Sequence, residues 1–128
     1  MIYLDASVVL ARVFIETRSP PDAFWLQRLV SSRLLRYEVM NRVHVHAPRT
    51  RLAADAGRIL DRADLIDLAV AILDRALAPF PVPVRTLDSL HLATIDYLSR
   101  NGQTLQLATY DRRLAAAAAA LGFPLAAL

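Results

Sequence analysis

Four carboxylates, those of Asp5, Glu38, Asp88 and Asp111, lie at positions where an α/β chain could use them for chemistry. If four carboxylates converge on one crevice, their mutual repulsion is prohibitive without a cation. A ligand set made only of oxygens, with no His or Cys, favours Mg²⁺ or Mn²⁺. Such an ion can activate a water and neutralise the charge on a phosphodiester during its cleavage. The four acids therefore predict a metal-dependent phosphodiesterase site.

Asp88 is the acid whose position is least expected. It lies in RTLDSLHLAT, residues 85–94. At about 100° per residue, a helix over this stretch places Asp88 inside the apolar arc, between Ile95 and Leu92. The plain alternative is helix-start chemistry, with Thr86 as the N-cap and Asp88 as a first-turn acid that complements the helix dipole.

The other three acids also have ordinary structural explanations. Asp5 ends one predicted strand and Asp111 follows another, and each could serve only as an acid at a helix start. Glu38 lies between two apolar residues on a predicted helix and points toward packed surface. Its structural alternative is an ion pair with Arg42, four residues on, worth about 0.3 to 0.5 kcal/mol if exposed.

The elements that must position these acids alternate between strand and helix. This alternation implies right-handed crossovers and a parallel sheet covered on both faces, with the site outside the carboxyl ends of the strands. The Pro-rich residues 78–84 are predicted to form a loop. Strands are predicted at 2–5, 29–32, about 63–70, 104–109 and, as a short last strand, 123–127. Helices are predicted at about 7–16, from Pro20 and Pro21 through Trp25, Leu26, Leu29 and Val30, from the N-cap Ser32 through Arg42, at 50–62, 70–77 and 86–100 with Asn101 and Gly102 as the stop, and at 111–121 before Gly122.

Length and composition bound the class of protein. The 128 residues predict one domain, 1–128, and no apolar run reaches about 18 residues, so no membrane association is expected. The first fourteen residues, MIYLDASVVLARVF, have no basic n-region and read as a first strand, not a signal peptide. The chain has no cysteine, which excludes disulfides and zinc ribbons and is compatible with a cytoplasmic location.

All 15 basic residues are arginine. The absence of lysine excludes a P-loop and any other site that needs a lysine. Without the four candidate acids, 15 arginines face 8 acids. Outside the predicted acidic pocket the chain is therefore distinctly basic, as a nucleic-acid binder should be.

Four segments, each centred on one of the acids, resemble one known family. In chain order they are MIYLDASVVLARVF, SSRLLRYEVMNR, RTLDSLHLAT and LATYDRRLAAAAAALGF. Together they resemble the PIN-domain ribonucleases, specifically the VapC toxins of type II toxin–antitoxin modules. The resemblance implies a three-layer α/β/α sandwich with a central parallel sheet of four to five strands.

The resemblance also implies a function and a set of site residues. It implies a metal-dependent endoribonuclease in which Asp5, Glu38, Asp88 and Asp111 are the catalytic residues and hold one or two Mg²⁺ or Mn²⁺ ions. A metal-activated water would cleave RNA to 5′-phosphate and 3′-hydroxyl ends. Ser7 and Thr109 match hydroxyl positions that support the metal site. The implied partners are a cognate VapB-type antitoxin, which covers the pocket, and a second copy of the chain in a homodimer.

Several other residues near the acids carry weaker signals. Arg42, Arg112 and Arg113 are close in sequence to the acids and could contact RNA phosphates, although solvated or ion-paired arginines are an equally good interpretation. His91 lies in the apolar arc and is expected to be a satisfied core histidine. His44 and His46 are two residues apart, so on a helix they face apart and are expected on the surface or at an interface.

Three other classes of protein could place acids at similar positions. A haloacid-dehalogenase-type phosphatase needs a second aspartate where this chain has Ser7, and it needs a lysine. A receiver domain is disfavoured because it also needs a lysine and because this chain has no paired acids after its first strand. The remaining rival is a catalytically inactive PIN-like module that binds RNA or protein, which metal titration distinguishes from an enzyme.

Overall fold

The computed structural model describes all 128 residues. A short 3-10 helix, Asp22–Leu26, lies before the second strand. The other elements, in chain order, are β1 Ile2–Leu4, α1 Ala6–Val13, β2 Leu29–Ser32, α2 Leu34–His46, α3 Leu52–Leu60, β3 Ala63–Ile66, α4 Val70–Leu77, α5 Thr86–Arg100, β4 Gln106–Ala108 and α6 Arg112–Ala120.

The four strands form one parallel sheet in the order β3-β2-β1-β4. The chain builds outward from β1 to β2 and β3, and then returns to place β4 on the other side of β1. This reversal makes a topological switch point between β1 and β4, where ligand crevices of open parallel sheets form. In the register, Leu4 pairs with Ala108, so the residues that follow these two strands leave the sheet at the same level.

Alternating side chains of the strands bury the two faces of the sheet separately. Ile2, Leu4 and Leu29 join a cluster with α1, α2 and α3. Tyr3 and Val30 join a second cluster with α5 and α6. Helices thus cover both faces, and the predicted three-layer α/β/α sandwich is confirmed. The sheet has four strands, and the expected last strand is reduced to a single bridge between Leu107 and Leu125.

Most predicted elements are confirmed. The two glycines predicted to end helices have the left-handed backbone conformation typical of that position. Gly102 and Gly122, just after α5 and α6, have φ of +83° and +81°. In this left-handed region glycine has no Cβ penalty, so the chain can turn away from each helix. The Pro-rich segment before α5 contains no helix or strand, as predicted.

The predicted helix from Pro20 through Val30 is wrong. Only Asp22–Leu26 coils, as a 3-10 helix, and it buries Phe24 and Trp25. Leu29 and Val30 instead belong to β2, where Leu29 pairs with Ile2, so sheet pairing overrides the local helical pattern. The first helix also stops at Val13 instead of residue 16. Just beyond it Ile15 has φ of +53°, a conformation that ends a helix and is strained for a β-branched residue.

None of the helices is long and apolar enough to cross a membrane.

Candidate active site

Asp5 and Thr109 meet at the switch point because β1 and β4 are in register. Asp5 directly follows β1, and its backbone N–H donates to the carbonyl of Ala108 at 3.0 Å. Thr109 follows Ala108, and its hydroxyl donates a 2.8 Å hydrogen bond to Oδ2 of Asp5. The side chain of Asp5 is buried, so this carboxylate depends on such partners.

Ser7 and Thr109 hold the loops after β1 and β4 together. The hydroxyl of Ser7 donates to Oδ2 of Asp5 and accepts a 2.9 Å hydrogen bond from the backbone N–H of Tyr110. The hydroxyl of Thr109 accepts a 2.9 Å hydrogen bond from the backbone N–H of Asp111. Both residues therefore contact Asp5 and also fix the backbone that carries Asp111.

Asp5 and Asp111 each cap the helix that follows them. Oδ2 of Asp5 accepts from the backbone N–H of Ser7 at 3.2 Å. Oδ1 of Asp111 accepts from the backbone N–H groups of Arg113 and Leu114 at 2.8 and 3.2 Å. The plain structural alternative is thus true of both acids. It uses only one oxygen of each, and the other oxygen, Oδ1 of Asp5 and Oδ2 of Asp111, has no hydrogen-bond partner in the chain.

Glu38 projects from α2 and contacts His91 of α5, a helix that packs on the opposite face of the sheet. Nε2 of His91 lies 2.5 Å from Oε1 of Glu38. His91 is completely buried, as expected of a satisfied core histidine. Burial lowers the pKa of His91, but the hydrogen bond and charge of Glu38 outweigh it, so that the pKa is raised overall. The structural alternative, an ion pair of Glu38 with Arg42, does not form, and the partner of Glu38 is His91.

Asp88 lies in the first turn of α5, half-buried, and accepts no hydrogen bond from the chain. The prediction that Thr86 caps this helix is wrong: Arg85 occupies the cap position and Thr86 is the first helical residue. Burial raises the pKa of the Asp88 carboxyl above its ordinary value. The negative charges of Asp111 and Asp5 raise it further, so the acids act on one another through space.

The four acids line one cavity of about 540 Å³ at the carboxyl edge of the sheet. The capping or first residues of three helices, α1, α5 and α6, line this cavity, and the positive dipole ends of these helices partly offset the negative charge. Ala6, Ser7, Leu10, Asn41, Arg42, Arg85, Thr86 and Leu87 complete the wall.

The donors of this cavity suit a hard, partly hydrated cation. Each of the four carboxylates has at least one oxygen that no group of the chain engages. No three of the chain's acidic or histidine side chains stand close enough to form a complete ligand cage. Mg²⁺ does not require such a cage, since it usually keeps several waters and binds through one or two carboxylates. The acids therefore fit an ion that retains water molecules.

Arginines without an acidic partner surround the cavity. The eight ion pairs of the chain leave out Arg42, Arg85, Arg112 and Arg113. Arg42 and Arg85 line the acidic cavity. Arg85 and Arg113 line an adjoining depression of about 410 Å³ that shares Asp88 with it. Arg112 is exposed and lines neither. Of the three arginines from the sequence analysis, the structure therefore places Arg42 in the acidic cavity and Arg113 in the depression beside it, but not Arg112.

Two residues at this site were missed or undervalued by sequence reasoning. Arg85 directly precedes the helix of Asp88, which is the signal that could have found it. The contact of His91 with Glu38 joins residues 53 positions apart, and no local pattern reports it. His44 and His46 are exposed in the last turn of α2, as predicted.

The chain is similar over nearly its full length to known proteins, although no family model matches it. Ribonuclease VapC35 of Mycobacterium tuberculosis (strain H37Rv) is 32% identical over 133 residues, which cover 99% of this chain and 96% of that protein. Ribonuclease VapC46 of the same strain is 37% identical over 125 residues, 94% of this chain and 92% of that protein. Ribonuclease VapC47 of Mycobacterium tuberculosis (strain CDC 1551) is 28% identical over 130 residues, 96% and 93% of the two chains.

Proposed function

The chain belongs to the VapC ribonuclease family, and on that premise we propose that it is a metal-dependent endoribonuclease, the toxin of a VapBC-type toxin–antitoxin module. The observation that carries the proposal is the convergence of Asp5, Glu38, Asp88 and Asp111. They come from four separate segments of the chain and line one cavity at the switch point of the sheet.

The four carboxylates are the proposed ligands of Mg²⁺ or Mn²⁺. The raised pKa of Asp88 supports this assignment. Burial and the negative charges of Asp111 and Asp5 disfavour its ionised form, and a bound cation would offset both effects. When bound, the ion supplies a water nucleophile at neutral pH and offsets the charge that develops on the phosphodiester. Ser7 and Thr109 hold Asp5 in place, and Thr109 also fixes the backbone of Asp111.

The arginines at the rim are the proposed contacts for RNA phosphates. Arg42 and Arg113, and also Arg85, stand beside the acids without an acidic partner, so their guanidinium groups can receive phosphates in bidentate geometry. Arg112 lies next to Arg113 at the start of α6, where it could contact an RNA phosphate farther from the cavity. In this proposal the acids of the cavity bind the cation, and the arginines at its rim bind the RNA.

A VapB-type antitoxin is the proposed inhibitor. A cavity lined by four acids attracts a basic side chain, and such a group would compete with the cation for the same oxygens. A partner segment that carries an arginine into the cavity should therefore suppress cleavage and weaken Mn²⁺ binding together.

Self-association into a homodimer is also proposed. Val70, Leu73 and Leu77 are spaced along one side of α4 and are 73%, 40% and 87% exposed. An apolar stripe of this kind is typical of a surface that another protein covers. Light scattering on the purified chain tests this: a dimer that Leu77→Asp converts to a monomer supports it, and a wild-type monomer contradicts it.

The experiment that tests the proposed function is cleavage of RNA by the purified chain with Mg²⁺, with Mn²⁺ and with EDTA. Cleavage only with the divalent ions, leaving 5′-phosphate and 3′-hydroxyl ends, is the expected result. RNA that stays intact while the chain binds it would favour the inactive binding module instead.

A further inference from the structure

A buried series of hydrogen bonds joins the centre of the sheet to the acidic cavity. The phenol oxygen of Tyr3, on β1, accepts a 3.1 Å hydrogen bond from the backbone N–H of Ser32. The same oxygen lies 2.8 Å from Nδ1 of His91, on α5. Nε2 of His91 then contacts Oε1 of Glu38, on α2, at 2.5 Å. The series therefore connects β1, β2, α5 and α2.

The proton positions in this series follow from which groups can donate. A carboxylate only accepts, so Nε2 of His91 carries a hydrogen and donates to Glu38 whether the ring is neutral or charged. In the neutral ring Nδ1 must accept, and the hydroxyl of Tyr3 is the donor that faces it. A phenol is protonated at neutral pH, so this hydroxyl keeps its proton. Each polar atom between Ser32 and Glu38 is thus satisfied.

The imidazole of His91 is held on several sides. Tyr3 and His91 have no exposed surface. Their rings meet edge to face, with centroids 5.9 Å apart and planes at 84°. A ring that is packed in this way and bonded at both nitrogens cannot turn without breaking a buried hydrogen bond. The position of Oε1 of Glu38 is therefore set from inside the sheet, while Oε2 has no partner in the chain.

We propose that Tyr3 and His91 are positioning residues that hold the Glu38 carboxylate in one orientation for the divalent cation. A free glutamate side chain has several rotatable bonds and loses their entropy when it binds an ion. Anchoring one of its oxygens removes most of that loss before the ion arrives. The inference rests on the proposed function for the cation, but the hydrogen-bond series is a property of the metal-free chain.

A purely structural role of Tyr3 and His91 predicts a different experimental result. If Tyr3 and His91 only satisfy buried polar atoms, their removal lowers stability and leaves the affinity for Mn²⁺ unchanged. If they position Glu38, a folded variant binds Mn²⁺ more weakly and has a lower kcat, while the KM for RNA stays near the wild-type value. Outer-sphere partners of metal ligands typically contribute about 10- to 100-fold to affinity or activity.

The first test uses Tyr3→Phe, which keeps the ring and deletes the hydroxyl. Ile95→Val is the matched control, because it removes one buried methylene group from α5, one turn after His91, and leaves the series intact. Calorimetric titration with Mn²⁺ should give an affinity at least about 10-fold weaker for Tyr3→Phe than for the control. Equal affinities and equal kcat values for the two variants overturn the proposal.

The second test uses two substitutions of His91. His91→Gln keeps an N–H donor within reach of Glu38, and His91→Leu removes it. The proposal expects Mn²⁺ affinity to be largely retained in the glutamine variant and lost in the leucine variant. Equal losses in both variants contradict it.

A readout without metal or RNA separates this inference from the proposed function. In the metal-free wild-type chain, nitrogen NMR should show His91 with a slowly exchanging hydrogen on Nε2 that is hydrogen-bonded to Glu38. An unprotonated Nε2 overturns the inference even if RNA is cleaved. A wild-type chain that shows this hydrogen but neither binds Mn²⁺ nor cleaves RNA refutes the proposed function and, with it, the role of the series toward a cation.

Discussion

The hydroxyl of Thr109 donates to Oδ2 of Asp5 at 2.8 Å across 104 residues of sequence. This contact exists because β1 and β4 are neighbours in register, with Leu4 opposite Ala108. The same hydroxyl accepts from the backbone N–H of Asp111. The Thr109 side chain thus links two of the four acids, as Ser7 also does, and the sheet topology sets its position.

Thr109→Val tests this contact, because valine keeps the shape and deletes the hydroxyl. We expect Mn²⁺ affinity to fall by about 10- to 100-fold, since Asp5 loses a partner and the loop of Asp111 loosens. Thr104→Val is the control, as Thr104 is exposed in the loop before β4. Calorimetry measures both variants. Equal affinities in the two would show that Thr109 does not support the site.

The strands and the acids at their ends could be predicted because their signals are local. A buried strand that ends in Asp5, and a second that precedes Asp111, combine with the rule for parallel sheets to place both acids at one edge. The helix with Asp88 was also predicted with its observed limits, Thr86–Arg100. Periodicity and stop residues were sufficient for these elements.

The remaining features depend on contacts between distant residues. The segment before β2 has helical character, but Leu29 pairs with Ile2 in the sheet, and that pairing decides its structure. Glu38 could have paired with Arg42 by local spacing, yet the buried His91 is its partner. Sequence spacing cannot report which residue of α5 reaches α2. The identity of a partner across the fold therefore had to come from the structure.

Asp88→Asn is predicted to change thermal stability in opposite directions with and without metal. The pKa of Asp88 is raised in the folded chain, so protonation stabilises the fold below the ordinary pKa of an aspartate. This stability is lost as the pH rises through the raised pKa. Asparagine is neutral throughout, so in EDTA at neutral pH the variant should melt above the wild type. The difference should shrink as the pH falls toward about 4.

With Mg²⁺ at about 100 times its dissociation constant, the wild-type Tm should rise by roughly 5 to 10 °C, and the Asp88→Asn variant should show no such rise. Asp96→Asn is the control on the same helix, since Asp96 pairs with Arg75 and Arg100 away from the cavity. It should keep the Mg²⁺ shift. A variant at position 88 that melts below the wild type in EDTA and keeps the shift would contradict the proposed cation site.

Arg85→Gln is predicted to weaken RNA binding without disturbing the cation. Arg85 has no acidic partner and lines both the acidic cavity and the adjoining depression. Loss of one phosphate contact should raise the KM and reduce the slope of log affinity against log salt by about 0.7 for a single strand. Arg100→Gln, at the far end of α5, should leave the slope unchanged. An unaltered slope for Arg85→Gln would remove Arg85 from the substrate contacts.

The central claim, that the acidic cavity cleaves RNA with a divalent cation, is tested most directly by one side-by-side assay. Wild type, Asp88→Asn and Asp96→Asn are incubated with RNA and Mn²⁺, and the initial rates of cleavage are measured. We predict that Asp88→Asn is slower than wild type by more than about 100-fold, beyond the range for outer-sphere partners, while Asp96→Asn stays within a few-fold of it. Cleavage by folded Asp88→Asn at the wild-type rate would contradict the claim.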